Sequence, residues 1–199
     1  MNKESDARAV ARIASAQRGV LSKADLQTLL AERHAAAFTR RVLALERDQV
    51  LRRFCRGFYV HEPFDLPTLS QRLAPNSYVS FGTVLARELL IGARPERQLI
   101  AAKVGRARTY RGLDREIVQV QIAEHLDFGH ATVAGVRFAD AEKAVLDVLY
   151  FHLRGRRYAF DLYSDIDYTR LNPRRLATYL ARYRNPKFIA FAERVVAHR

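Results

Sequence analysis

The sequence predicts an α+β protein of two domains: a small helical domain closed by a short hairpin, then a mixed α/β domain that ends in helices. Three observations predict it. Apolar residues recur at helical spacing through most of the first 50 residues and give way to strand-like runs near residues 50–60. The period changes again between Gln98 and Phe138, where short β-branched or alternating runs replace helical patterning. The excess positive charge sits at the two ends. Residues 1–60 carry 12 Lys+Arg against 6 Asp+Glu, residues 61–153 carry 11 against 11, and residues 154–199 carry 11 against 4.

With 199 residues, 49% of them hydrophobic and 28% charged, the chain can bury one ordinary core or two small ones. No apolar run approaches a membrane span. The opening MNKESDARAV has no apolar stretch or small-residue cleavage site, so cytoplasm is the expected compartment. The single cysteine, Cys55, excludes an internal disulfide and a cysteine-rich zinc site. Of the 34 basic residues 29 are arginine, a preference that a GC-rich genome also produces. The clustering of the charge, rather than the preference for arginine, is what points to a polyanionic partner.

In chain order, residues 5–17 form a first helix with Val10, Ile13 and Ala14 on one face, ended by Gly19. Ser22-Lys23-Ala24-Asp25 reads as a capping box that opens a second helix with Leu26, Leu29 and Leu30 inward. A third helix begins near His34 to Ala36 and turns Phe38, Val42 and Leu45 to the core. Arg40 and Arg47, seven residues apart, fall on its opposite face. Val50–Phe54 and Phe58–Val60 then form a hairpin around Cys55-Arg56-Gly57, decorated by Arg52, Arg53 and Arg56. Three helices and a basic hairpin within 60 residues define a winged helix-turn-helix, placed at residues 1–61.

Residues 62–75, with prolines at 63, 67 and 75, read as a linker carrying a short helix from Thr68 to Leu73. The second domain, residues 76–199, opens with a helix capped by Ser80 that buries Val84, Leu85 and Leu89. Strands follow at Leu99–Val104, Ile117–Ile122 and Thr132–Phe138. Asp140 caps the next helix, with Ala144, Val145, Val148, Leu149 and Leu153 inward. Pro173 starts a helix with Leu176, Tyr179, Leu180 and Tyr183 inward, and the last helix carries Phe188, Ile189, Phe191 and Val195.

The candidate DNA-contacting set follows from this layout. His34, Ala36, Ala37, Arg40 and Arg41 are placed to reach base edges in a major groove, and Arg47, Arg52, Arg53 and Arg56 to meet phosphates. A second candidate basic face comprises Arg174, Arg175, Arg182 and Arg184. Cys55 would be a redox sensor if Arg53 and Arg56 lowered its pKa, although a lone cysteine is more often incidental. Enzyme signals are sparse. His125, Asp127 and His130 in HLDFGH read better as loop residues than as metal ligands. Asp161, Asp165 and Asp167 read better as helix caps or partners of neighbouring arginines than as a cation-holding set. No nucleotide loop, HExxH or GxSxG pattern is present.

Two segments resemble a known family. SYVSFGTVLARELLI at 77–91 and FADAEKAVLDVLYF at 138–151 are similar to conserved stretches of the AbiEi-type antitoxins and regulators. The matching positions are Tyr78, Val79, Ser80, Ala86 and Leu90, then Ala139, Asp140, Glu142, Lys143, Ala144, Leu146, Asp147 and Leu149. Arg56-Gly57-Phe58-Tyr59 also resembles the close of that family's N-terminal domain. Phe81-Gly82 and Arg87-Glu88 depart from its pattern.

The resemblance implies operator binding by a winged helix. It also implies a C-terminal domain that antagonises a nucleotidyltransferase-like toxin encoded nearby, without a stable complex being required. This is a type IV toxin–antitoxin arrangement. The expectation is therefore a cytoplasmic DNA-binding repressor and antitoxin, not an enzyme, with double-stranded operator DNA as partner and no cofactor, metal or membrane. Glu142 and Lys143 also fit a structural ion pair. The alternatives are a nuclease or nucleotidyltransferase with a DNA-binding domain, and a stand-alone regulator without a toxin. Oligomeric state is not readable.

Overall fold

The computed structural model of the chain describes residues 3–93 and 95–197. Its architecture is mixed α/β, with two sheets and two compact units, Met1–Leu69 with Tyr110–Asp114, and Ser70–Thr109 with Arg115–Arg199.

In the first unit, α1 (Lys3–Ala16) carries Glu4 and Asp6 in its first turn, where they complement the helix dipole, and buries Val10 and Ala14 completely. Gly19 turns the chain into β1 (Val20–Ser22). Its φ is +75°, and a Cβ there would lie 2.5 Å from the carbonyl oxygens of both His61 and Pro63, so glycine is required. The capping box is present at the start of α2 (Lys23–Leu30). Ser22 Oγ accepts from the Asp25 amide at 3.1 Å, and Asp25 Oδ2 accepts from the Ser22 amide at 2.6 Å. A cap of this kind contributes about 1 kcal/mol. Helix α3 (Ala35–Arg47) buries Phe38, Val42 and Leu45 against Val10, Ala14, Leu26 and Leu30.

Strands β2 (Arg52–Cys55) and β3 (Phe58–Val60) form the hairpin, and β1 pairs antiparallel with β3 to give the order β1-β3-β2. A bulge between Arg53 and Cys55 shifts the β2–β3 register. The segment expected as linker holds α4 (Leu66–Leu73), which starts earlier than the Thr68 read from sequence. Asp65 initiates it, accepting from the Thr68 amide at 2.8 Å.

The second unit contains β4 (Ser77–Val79), α5 (Phe81–Arg87), β5 (Gln98–Val104), β6 (Arg108–Gly112), β7 (Arg115–Ile122), β8 (His130–Val133), β9 (Val136–Ala139), α6 (Ala141–His152), α7 (Pro173–Leu180) and α8 (Pro186–Ala197). The end of β6 and the turn into β7 are grouped with the first unit. The sheet order is β6-β7-β5-β4-β9-β8. Strand β5 runs parallel to β7, β4 is antiparallel to β5 and parallel to β9, and β8–β9 is a hairpin. The single strand expected over Thr132–Phe138 is therefore two, split at Ala134-Gly135, where both residues have positive φ. Strands β4 and β6 carry no alternation that would announce them: β4 is short and buried throughout, whereas β6 is a mostly exposed edge.

Three helical expectations change. Ser80 sits at the N-cap of α5 but makes no cap bond there. Leu89 lies beyond α5 and is 65% exposed, its place in the core taken by Leu90 and Ile91. Leu153 is the C-cap of α6 and is exposed, because α6 ends at His152. Asp140 caps α6 as expected, accepting from the Lys143 amide at 2.9 Å. Asn172 and Asn185 open α7 and α8, each accepting from two amides of the first turn.

One long side chain joins α1, α2 and α3. The Arg41 guanidinium donates from Nε to Asp6 Oδ2 at 2.9 Å, from Nη2 to Asp6 Oδ1 at 2.5 Å and from Nη1 to the Leu30 carbonyl at 2.8 Å. Arg41→Ala should destabilise the first unit by about 2 kcal/mol, because it leaves a half-buried carboxylate and a helix-terminal carbonyl unpaired. Urea denaturation followed by hydrogen exchange in α1 checks this; unchanged protection would remove Arg41 from the framework.

Candidate nucleic-acid interface

The periodicity that buries Phe38, Val42 and Leu45 leaves the opposite face of α3 to Ala36, Thr39, Arg40, Leu43 and Arg47. All five are exposed, and at helical spacing they occupy a sector of about 100°. The acidic residue of this helix, Glu46, is half-buried outside that sector. Asp48, the C-cap, pairs with Arg47 at 3.5 Å. His34 is an exposed N-cap residue whose side chain makes no cap bond, and Ala37 is half-buried.

The hairpin adds three exposed arginines. Arg52 lies 3.7 Å from Glu62, a solvated pair of small energy. Arg53 precedes the bulge, and Arg56 occupies the turn with Gly57, whose φ is +83°. Space around Gly57 is open. Small residues on the helix face and cations on helix and hairpin are what a duplex requires: close approach to base edges, flanked by phosphate contacts.

One expected member, Arg41, does not join this set, and the redox reading of Cys55 loses its basis. Arg41 is only 16% exposed and spends its donors on Asp6 and Leu30, so it builds the unit and is not displayed by it. Cys55 is half-buried. Burial pushes its thiol pKa up and outweighs the lowering by Arg53, which removes the basis for a reactive thiolate. Thr39 and Leu43 are members that the sequence reading missed. Their helical angles relative to Phe38 were the available signal.

Four of the motif residues of the second unit, Tyr78, Ser80, Lys143 and Asp147, converge on one buried network. Asp147 on α6 accepts from Lys143 Nζ at 2.5 Å on one oxygen. Its other oxygen accepts from Ser80 Oγ at 2.8 Å and Tyr78 OH at 3.1 Å. Lys143 also donates to Tyr183 OH at 3.3 Å, and its ammonium lies 4.7 Å from the Phe128 ring centroid and 5.6 Å from that of Tyr78. Lys143, Ser80 and Tyr78 are wholly buried and Asp147 is 1% exposed. Burial, and then the Asp147 charge, raise the Tyr78 and Tyr183 pKa values well above the ordinary phenol range, so both remain protonated.

The ion pair is thus Lys143 with Asp147, and Glu142 has a separate role. Its Oε1 accepts from the Asn172 amide at 2.7 Å and its Oε2 from Arg175 at 3.3 Å, which holds the start of α7 against α6. Tyr179 OH donates to Asp140 at 2.7 Å, and its pKa is pushed up to about 12 by burial and by that bond.

Two members of the second basic face are tied to neighbouring side chains. Arg175 is engaged by Glu142, and the Arg182 guanidinium lies 4.4 Å from the Phe128 ring centroid. All four arginines, Arg174, Arg175, Arg182 and Arg184, are exposed. Asp161 accepts from the Tyr163 and Ser164 amides, Asp165 from the Asp161 amide, and Asp167 from the Thr169 amide, so each closes a local turn. His130 Nε2 lies 2.9 Å from Asp127 and 2.8 Å from the Arg137 guanidinium, a cation where a metal site would need another ligand. His125 is half-buried outside this cluster. Among the described residues, no group of three or more His, Cys, Asp or Glu is arranged to hold a metal ion, and no helix is long and apolar enough to cross a membrane.

No family model matches the chain, and no curated protein matches it. Among solved structures it is similar to the RV2827C protein from Mycobacterium tuberculosis, with a TM-score of 0.64 at 13% identity over 96% of this chain and 75% of that one. At that identity the likeness concerns the fold alone.

Two measurements test these assignments. Lys143→Met should destabilise the second unit by about 3–5 kcal/mol, and Lys143→Met with Asp147→Leu should cost less than the two single changes summed. Additive losses would show that the pair is not coupled. Iodoacetamide labelling of Cys55 at pH 7.5 should be slower than labelling of a short cysteine peptide and should rise with pH beyond the ordinary thiol range. Faster labelling would restore the redox reading.

Proposed function

We propose that the protein is a DNA-binding transcriptional regulator whose first unit is a winged helix-turn-helix. In this reading it is also the antitoxin of a type IV toxin–antitoxin system: it represses its own operon and antagonises a nucleotidyltransferase-like toxin encoded beside it, without a stable complex. It acts in the cytoplasm by binding an operator duplex, and neither catalysis nor a cofactor is part of its action.

The observation that carries the DNA reading is the separation of two kinds of arginine in the first unit. Arg41 is consumed by the fold, whereas Arg40, Arg47, Arg52, Arg53 and Arg56 are exposed on α3 and the hairpin beside it. The antitoxin half rests on the resemblance at residues 77–91 and 138–151. Support comes from the way Tyr78, Ser80, Lys143 and Asp147, drawn from both segments, meet in one network. The carboxylates that a nuclease reading would need are spent on turn amides.

Titration of the chain's own promoter and of a random duplex between 50 and 200 mM salt is the direct test. With five exposed arginines on phosphates or bases, log affinity should fall against log salt with a slope of roughly −4 to −5. Arg40→Ala should relax sequence preference, and Arg53→Ala should weaken all duplexes alike. Equal affinity for promoter and random DNA, or binding indifferent to salt, would overturn the regulator reading. Co-expression with the neighbouring toxin gene tests the antitoxin half: the full chain should restore growth.

A further inference from the structure

Leu43 is 57% exposed inside α3. The other large apolar side chains that are exposed among the described residues lie at element ends or in loops. Leu89 follows α5, Val133 ends β8, Leu153 caps α6, and Tyr163 lies in the loop before α7. Such positions need no explanation. An outward position within a helix is different, because lysine, glutamate or glutamine serves there equally well and is better solvated.

The surroundings of Leu43 narrow its use. Ala36, Thr39 and Leu43 stand at i, i+3 and i+7, one line along the exposed face. Thr39 donates its hydroxyl to the Ala35 carbonyl at 2.9 Å, which leaves its methyl as the outward group. The line is therefore a ridge of methyl groups, with Arg40 and Arg47 beside it. From Ala36 to Leu43 the helix rises about 10 Å, the length of roughly three stacked base pairs. A major groove offers one apolar group on its floor, the C5 methyl of thymine.

We infer that Leu43 is a specificity-determining residue that packs on the C5 methyl of a thymine in the operator, with Thr39 and Ala36 along the same ridge. The inference rests on the DNA-binding function proposed above and adds to it which base is read and by which chemistry. The arginines beside the ridge hold the backbone and guanine edges. The ridge selects against cytosine and guanine by apolar contact, without a hydrogen bond of its own.

The test selects preferred sites from a random duplex pool with the wild-type chain and with Leu43→Ala, then replaces each thymine of the selected site by deoxyuridine. The variant changes an exposed side chain, and circular dichroism verifies its fold. At one position deoxyuridine should weaken wild-type binding roughly fourfold, the worth of one buried methyl. It should leave Leu43→Ala unchanged, and the variant's own selected site should lose its preference at that base pair. A selected site with no methyl-sensitive thymine, or equal sensitivity in both proteins, overturns the inference while sequence-specific binding stands. Loss of self-association in Leu43→Ala, with site preference intact, assigns the residue to a second copy and also overturns it. Failure of the wild-type chain to enrich any site removes the DNA-binding reading itself.

Discussion

Asp147 is one carboxylate that accepts hydrogen bonds from an ammonium and two hydroxyls, and much of the second unit is arranged around it. Taking a carboxylate and an ammonium out of water costs several kcal/mol each, and their attraction repays this only where the remaining donors and acceptors are satisfied. Here they are. Tyr78 and Ser80 reach Asp147 from β4 and the residue after it, and Tyr183 reaches Lys143 from beyond α7. A shift of α6 by one turn along β4 would leave the Lys143–Asp147 pair buried without its hydrogen bonds to Tyr78, Ser80 and Tyr183. The network therefore fixes the register of α6 on the sheet, which apolar packing alone would leave less specified. It also explains why Ser80, at the head of α5, gives its hydroxyl to a distant carboxylate instead of capping its own helix.

The same logic divides the arginines. A guanidinium that meets a carboxylate held in place by the fold becomes a structural member, as Arg41 does with Asp6 and Arg175 with Glu142. One that lies over a ring is held in part by that contact, as Arg182 is over Phe128. Subtracting these from the basic residues changes the picture that charge counting alone produces. The first unit keeps a compact cationic display on α3 and the hairpin, whereas in the C-terminal cluster two of the four named arginines, though exposed, are tied to neighbouring side chains.

What was legible in the sequence was whatever is local. Helix faces followed from spacing, as with Phe38, Val42 and Leu45. Caps followed from residue type and offset, as with Ser22 with Asp25 and with Asp140. Partnerships across the chain were not legible: Arg41 and Asp6 are 35 positions apart, and nothing in either neighbourhood announces the other. Lys143 and Asp147 do stand at i and i+4, but that spacing usually marks a solvated surface pair. Burial of α6 nearly all round, from Glu142 to Leu149, is what turns it into a core element. Strand β6 escaped notice because an edge strand with one exposed side after another has no alternating core face to detect. Of the candidate interface, the arginines were visible by charge. Leu43 was not, because an apolar residue in a helix is read as core until the face it occupies is worked out.

The six-stranded sheet ends in two strands of different character. At one edge β6 carries Arg108 and Arg111, whose charges discourage a foreign strand from continuing the ladder. At the other edge β8 runs His130-Ala131-Thr132-Val133, exposed over its last three residues and without a charge among them. Its protection against edge-to-edge association is its brevity: at four residues it offers too few free amides and carbonyls to template a lasting pairing before Ala134-Gly135 turns the chain back into β9. Continuation of the ladder is thus disfavoured by charge on one flank and by a short strand on the other.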